Sequence, residues 1–262
     1  MDKSIESITP YIPEQNSDLI IDDDVWTEGF NNLRTINAKS GRIALGTEWG
    51  KAFFSHNNED ALFIDLKHDA FAVADGIGGY EKGEIAARIV TKEIKLGLSL
   101  GKTPEEMQYR AHLIMLDNGV KEGGACYVAG QITGKKLKVW YAGDCVLFLI
   151  DRNGEIKYKT ETTPLEDAPR GVGRGQTKTI IESLMNYDRI IVASDGLTQN
   201  VHTQEVVDVI NGQPVDDAVK QLANLAKQRM VHGFDDGVSY GNKDDLTILV
   251  YEILPVPLVK QI

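Results

Sequence analysis

Four aspartates share one local setting in the sequence: each lies at or next to the end of a short apolar run, and beside a glycine or within a turn. They are Asp75, Asp144, Asp195 and Asp244. Strands that end at one edge of a sandwich can bring such residues into a single cleft, where crowded carboxylates repel one another unless divalent cations neutralise them. Oxygen ligands without matching histidines or cysteines favour Mg²⁺ or Mn²⁺ over zinc. The pattern therefore predicts a metal centre at the ends of strands.

Glycines follow two of these aspartates, as Gly76 and Gly196. A glycine lets the chain turn sharply and brings a backbone carbonyl within reach of a metal ion. Taken alone, an Asp-Gly step is more often an ordinary turn after a strand than a metal site. Only the four aspartates together therefore predict a metal centre.

Short runs rich in Ile, Val, Phe and Ala, separated by turn residues, predict the strands that position these aspartates. The predicted strands cover residues 42–49, 61–66, 70–74, 125–133, 137–142, 146–151, 155–160, 189–194 and 245–254. Apolar spacing predicts a helix over 84–98, and Thr103-Pro104-Glu105-Glu106 predicts the start of another. Two further helices are expected over 203–210 and 215–230. Because the strands form hairpins and the helices come in two groups, we expect an α+β fold: a central sandwich of two antiparallel β-sheets flanked by helices on both sides.

Length and composition are those of one globular domain. The 262 residues can bury one sizeable core, and we predict a polar, acidic extension over 1–40, a main domain over 41–255 and a tail over 256–262. The net charge of -11 argues against a nucleic-acid partner. Neither an apolar run long enough to cross a bilayer nor a secretory signal pattern occurs, so we expect a cytoplasmic protein without a membrane partner, in monomeric form and with Cys126 and Cys145 reduced.

Five motifs follow one another along the chain. They are Asn58-Glu59-Asp60, Asp75-Gly76-Ile77-Gly78-Gly79, Gly143-Asp144, Ser194-Asp195-Gly196-Leu197 and Asp244-Asp245-Leu246-Thr247. In this order they resemble the signature motifs of the PPM, or type 2C, protein serine/threonine phosphatases, especially those of the compact bacterial kind. The resemblance covers about residues 42–252.

The resemblance implies a metal-dependent phosphoprotein phosphatase with two Mg²⁺ or Mn²⁺ ions at one edge of the sandwich. By position, Asp75 would bridge both ions, the carbonyl of Gly76 would join one of them, and Asp195 and Asp244 would complete the first site. A hydroxide held between the ions would then attack phosphorus in line, without a phosphoenzyme.

The other motif residues have supporting roles in the PPM family, which this sequence resembles. Glu59 and Asp60 would act near the site, largely through metal-bound waters, and Asp144 would join Asp195 in the further metal site of bacterial members, which makes three ions possible. The implied partner is a phosphorylated protein, for which we expect a kinase or a kinase target.

The sequence departs from the family at several positions. Ser55 stands where many members have an arginine that binds the substrate phosphate, and Ile77 stands where some have a histidine, so leaving-group protonation would fall to metal-bound water. Cys145 replaces the serine that usually follows Gly-Asp. Residues 162–175 fall where the family has a flap beside the cleft, and an ordinary surface loop explains them equally well. The candidate replacements for the arginine are Lys51, His56, Arg170 and Arg174, although each of them is more often an ordinary surface side chain.

Other classes of protein explain the sequence less well. Glu81 stands where the third glycine of a dinucleotide-binding motif would be, and no nucleophile elbow surrounds Ser194. Two alternatives stay open: a phosphatase-like binding or scaffold protein that has lost turnover, for which Ser55 is the motive, and a hydrolase of small phosphoesters that uses the same site.

Overall fold

The computed structural model describes residues 33–48, 58–77, 82–121, 123–161, 177–234 and 241–254. Within these ranges, eleven strands form two antiparallel sheets that pack face to face, and five α-helices cover the outer faces. The predicted α-β-β-α layering is confirmed.

The first sheet has six strands. They are β1 Arg34–Asn37, β2 Gly41–Glu48, β7 Val146–Asp151, β8 Ile156–Lys159, β10 Tyr187–Ala193 and β11 Leu246–Ile253, in the order β1-β2-β11-β10-β7-β8. The second sheet has five strands. They are β3 Asp60–Asp65, β4 Ala70–Gly76, β5 Ala125–Thr133, β6 Lys136–Ala142 and β9 Lys178–Ser183, in the order β3-β4-β5-β6-β9.

Both faces of the central strands are buried, which explains their nearly continuous apolar runs. In β4, Phe71 and Val73 pack between the sheets, whereas Ala72 and Ala74 face the helices on the outside. Side chains that alternate along a strand point to opposite faces, so one strand contributes to two layers of core. The small alanines allow a helix to approach the sheet closely.

The helices lie in the two predicted groups. The second sheet is covered by α1 Gly83–Ser99 and α2 Pro104–Asp117, and the first sheet by α3 Asp195–Thr198, α4 Thr203–Ile210 and α5 Val215–His232. The predicted start of α2 is confirmed as a capping box, because Thr103 Oγ1 accepts from the Glu106 N–H at 3.3 Å and the Glu106 carboxylate accepts from the Thr103 N–H at 2.8 Å.

Three elements differ from the prediction. Residues 34–37, which we assigned to the extension, form β1 and pair with β2, so the first sheet begins before residue 41. The strand β9 and the helix α3 were not predicted. Residues 1–32 and 255–262 lie outside the described ranges, and the division into extension, main domain and tail otherwise stays a prediction. In the described part of the chain, no helix is long and apolar enough to cross a bilayer.

Candidate active site

The space between the two sheets changes from apolar to polar at one end. In β4, Asp75 follows Phe71 and Val73 at alternate positions, so its side chain shares their inward face. Asp60, the first residue of β3, is the cross-strand partner of Asp75. Both carboxylates are buried, with 9% and 8% of their surface exposed for Asp75 and Asp60. Period-two alternation thus places two acidic groups where the apolar core ends.

The first sheet meets these aspartates with hydrogen-bonding groups. The Ser194 hydroxyl donates to Asp60 Oδ2 at 2.8 Å, and the N–H of Thr247 donates to the same hydroxyl at 2.9 Å. The N–H of Glu59 donates to Asp245 Oδ2 at 2.8 Å. Two loops that the sequence separates by more than a hundred residues are therefore joined at the polar end of the sandwich.

Burial and the crowding of carboxylates determine the electrostatics of this end of the sandwich. Burial raises the pKa of Asp75 well above its usual range, and the charges of Asp60, Asp195 and Asp244 raise it further. Asp75 also shares a hydrogen bond with Asp195. The pKa of Asp60 is raised as well, first by burial and then by the charge of Asp245. Since like charges favour neutral forms or a bound cation, the cluster is a candidate cation site.

The two glycines that follow Asp75 and Asp195 are needed for close packing. A Cβ at Gly76 would collide with the backbone of Gly83 in α1, and a Cβ at Gly196 would collide with the carbonyl of Asp245. Neither glycine is among those with positive φ. The absence of a side chain therefore sets how closely the loops around the carboxylates approach.

Glu59 lies between β4 and the start of α1. Its backbone carbonyl accepts from the Gly76 N–H at 2.9 Å, and its carboxylate lies so close to Gly83 that a Cβ there would collide with Oε1. A helix N-terminus carries partial positive charge, which stabilises a carboxylate placed against it. The motif residue Glu59 is thus fixed beside Gly76.

Asp144 occupies the turn between β6 and β7, beside the two cysteines. Gly143 has a φ of 90°, and a Cβ there would collide with Cys126. Burial raises the pKa of the Cys126 thiol far above its usual value, with Asp144 as the next cause and Asp75 as a further one. Cys126 and Cys145 are free and buried, as predicted. Asp144 therefore lies at the same end of the sandwich as Asp75, with Cys126 close to both.

The donor set fits a hydrated cation better than a closed protein cage. Among the described residues, no three acidic, histidine or cysteine side chains are arranged to hold a metal ion by themselves. Mg²⁺ usually keeps several waters and uses one or two carboxylates, so such a cage is not required. Asp60 Oδ1 is buried and has no hydrogen-bond partner in the described part of the chain, which leaves it available to a ligand or water.

Several residues to which the sequence assigns a possible role lie outside the described ranges. They are Ser55, Lys51, His56, Arg170, Arg174, Gly78, Gly79, Glu81 and the whole segment 162–175. Ile77 is described, and its N–H donates to the carbonyl of Gly124 at 3.0 Å.

Two residues of the candidate site, Asp245 and Gln199, were not predicted from the sequence. Asp245 has only 1% of its surface exposed and contacts the Glu59 backbone, and Gln199 Nε2 donates to Asp195 Oδ2. Alternation along β11 could have placed Asp245 inward, because Leu249 and Tyr251 belong to the core between the sheets. No sequence signal pointed to Gln199.

The sequence is similar to those of known protein phosphatases. No protein-family model matches the sequence. A probable protein phosphatase 2C of Oryza sativa subsp. japonica is 28% identical over 236 residues, which span 76% of this chain and 71% of the relative. A second relative, probable protein phosphatase 2C 26 of Arabidopsis thaliana, is 24% identical over 239 residues, which span 75% of this chain and 78% of the relative.

Solved structures share the fold over most of their length. The photosystem II phosphatase PBCP superposes with a TM-score of 0.68 and 23% identity, over 82% of this chain and 99% of that one. The catalytic domain of the serine/threonine phosphatase PstP, solved with two manganese ions, superposes with a TM-score of 0.65 and 21% identity, over 82% of this chain and 99% of that one. The sequence is thus similar to those of type 2C protein phosphatases, and the fold is the one that these solved phosphatase structures share.

Proposed function

We propose that this protein is a metal-dependent protein serine/threonine phosphatase. The observation that carries the proposal is the buried carboxylate cluster, in which Asp75 lies among Asp60, Asp195 and Asp244 at the polar end of the sandwich. The same end of the fold carries the motifs that resemble those of type 2C phosphatases. The homologues named as type 2C phosphatases support the same activity.

The proposed ligands of two Mg²⁺ or Mn²⁺ ions are Asp75, the carbonyl of Gly76, Asp195 and Asp244. The two manganese ions of the PstP catalytic domain support a dinuclear site. When bound, the ions would supply a water of lowered pKa as the nucleophile and would stabilise the phosphoryl oxygens. Asp144, with Asp195, is the proposed place of a third ion.

The residues around the ligands hold the site in place. Ser194 fixes one oxygen of Asp60 and leaves Oδ1 for solvent or a ligand. Asp245 holds the backbone of Glu59, whose carboxylate lies against the start of α1. Glu59 and Asp60 are therefore placed to bind water near the ions, and no side chain is asked to form a covalent intermediate.

The proposed substrate is a phosphorylated serine or threonine of a protein, with a kinase or a kinase target as the physiological partner. The net charge of -11 supports a protein that binds cations and that does not bind nucleic acid. We further propose a cytoplasmic monomer without a membrane partner.

Hydrolysis assays test the proposal directly. Purified protein is incubated with p-nitrophenyl phosphate or a phosphothreonine peptide, in millimolar Mn²⁺ or Mg²⁺ and in EDTA. We expect turnover of both substrates with either metal and none in EDTA. A parallel assay with ATP tests the alternative: faster turnover of ATP than of the phosphopeptide would favour a hydrolase of small phosphoesters. Folded protein that turns over neither substrate with any metal would overturn the proposal in favour of a binding or scaffold protein.

A further inference from the structure

Asn200 ties together the two loops that carry Asp195 and Asp244. Its side chain is fully buried, and Nδ2 donates to the carbonyl of Gly196 at 2.8 Å and to the carbonyl of Asn242 at 2.9 Å. Gly196 directly follows Asp195, and Asn242 lies two residues before Asp244. One amide group thus uses both of its hydrogens to link the backbones beside two carboxylates of the cluster.

Gln199 makes a second connection between the same loops, on the solvent side. Its Nε2 donates to Asp195 Oδ2, and its Oε1 accepts from Asn242 Nδ2. Because both ends of the amide are used, its orientation is fixed. The contact with Oδ2 determines in turn how the Asp195 carboxylate is rotated.

Residues of helices α4 and α5 hold Asn200 in place. Arg229 of α5 donates to the carbonyl of Asn200 at 3.0 Å and binds both oxygens of Glu205 in α4 at 2.6 Å. The Phe234 ring lies 4.6 Å from the Arg229 guanidinium carbon. Bidentate Arg–carboxylate pairs have a fixed geometry, so Asn200 is anchored to a rigid part of the fold.

We propose that Gln199 and Asn200 are positioning residues for the metal centre: they hold the Asp195 and Asp244 loops at a fixed separation and orient the Asp195 carboxylate. The inference rests on the proposed function, since it concerns the same cation site. Groups that orient metal ligands typically change metal affinity by about 10–100-fold when they are removed.

The substitution Gln199→Met tests the solvent-side connection, because methionine has a similar length and neither donates nor accepts strongly. Mn²⁺ binding is measured by calorimetry on metal-free protein without substrate, and the Mn²⁺ concentration for half-maximal turnover is measured separately. We expect the Mn²⁺ dissociation constant to rise about 10-fold. The melting temperature of the metal-free protein should stay unchanged, since Gln199 is exposed.

The control is Gln204→Met, which removes the same kind of contact elsewhere. Gln204 donates to Asp208 Oδ1 at 2.9 Å with the same four-residue spacing, on the exposed side of α4. It should bind Mn²⁺ like the wild type. If Gln199→Met also binds Mn²⁺ like the wild type, the role of Gln199 is refuted.

Asn200→Asp keeps the shape of the buried side chain and removes its two donors. We expect weaker Mn²⁺ binding together with a lower melting temperature. A lower melting temperature with unchanged Mn²⁺ affinity would refute the role of Asn200. If the wild-type protein binds Mn²⁺ but shows no turnover, only the proposed function is refuted. The Mn²⁺ affinities of the variants would still test the roles of Gln199 and Asn200. A wild type that does not bind Mn²⁺ would refute both.

Discussion

Ser194 and Asp60 lie 134 residues apart in the sequence, and the Ser194 hydroxyl donates to Asp60 Oδ2 at 2.8 Å. Ser194 follows β10 of the first sheet, and Asp60 begins β3 of the second sheet. This hydrogen bond therefore joins the two sheets at the end of the sandwich where the carboxylates gather.

Replacing Ser194 with alanine should destabilise the fold. The Ser194 hydroxyl also accepts from the Thr247 N–H at 2.9 Å, and its removal takes that acceptor away in a buried place. A buried donor that loses its acceptor costs about 1–3 kcal/mol of unfolding free energy. Denaturant unfolding of Ser194→Ala measures the loss. Ser183→Ala, on the exposed end of β9, should change stability by less than about 0.5 kcal/mol, and equal losses in the two variants would contradict the prediction.

Asp75→Asn should abolish metal-dependent turnover and stabilise the metal-free protein. The folded-state pKa of Asp75 is raised, so its ionisation at neutral pH costs stability, which is regained as the pH falls through the raised value. The neutral amide removes this cost, so the unfolding free energy of Asp75→Asn at pH 7 in EDTA should exceed that of the wild type. Turnover should fall more than about 100-fold.

The matched control for Asp75→Asn is Asp208→Asn on the exposed surface of α4. It should leave both the unfolding free energy in EDTA and the turnover with Mn²⁺ near their wild-type values. Asp195→Asn should also abolish turnover, and near-normal rates in either site variant would show that the proposed site is misplaced.

Glu205→Gln should destabilise the protein in a pH-dependent way. The hydrogen bonds from Arg229 lower the pKa of Glu205 to about 2. A lowered folded-state pKa contributes stability above the unfolded-state value, and this contribution disappears as the pH falls through the folded-state value. We expect a loss of about 2 kcal/mol at pH 7 that shrinks steadily below about pH 4.5. Unfolding curves of both proteins between pH 3 and 7 measure it, and a pH-independent difference would argue against the ion pair as the cause.

Gly196→Ala should disturb both packing and turnover, because its Cβ would collide with the carbonyl of Asp245. Forcing an extra methyl group into a packed site costs about 1–3 kcal/mol. Asp195 directly precedes Gly196, and Asp244 directly precedes Asp245, so a shift of either backbone would displace a proposed metal ligand. Mn²⁺-dependent turnover should therefore fall at least about 10-fold. In Gly101→Ala the Cβ meets open space, and its positive φ should cost roughly 1–2 kcal/mol without a change in turnover.

The sequence predicted most of the fold because the relevant signals are local. Nearly continuous apolar runs predicted strands such as β7, and the periodic apolar face predicted α1 to within one residue at each end. The capping box of Thr103 and Glu106 involves residues three positions apart, so it was visible in the sequence as well. The strand β9 was missed because every second side chain is exposed and the exposed Ile181 gives no clear alternation of polar and apolar residues.

The sequence by itself also determined which carboxylates stand at strand ends, because strand periodicity and turn residues are properties of neighbouring positions. Only the tertiary structure decided how those ends meet. The registers of β3 with β4 and the packing of the two sheets bring Asp60, Asp75 and Asp195 together. The contacts of Asp245 with Glu59 and of Gln199 with Asn242 join loops that are distant in the chain. Such contacts depend on how closely two backbones approach, and no pattern along a single strand or helix specifies that distance.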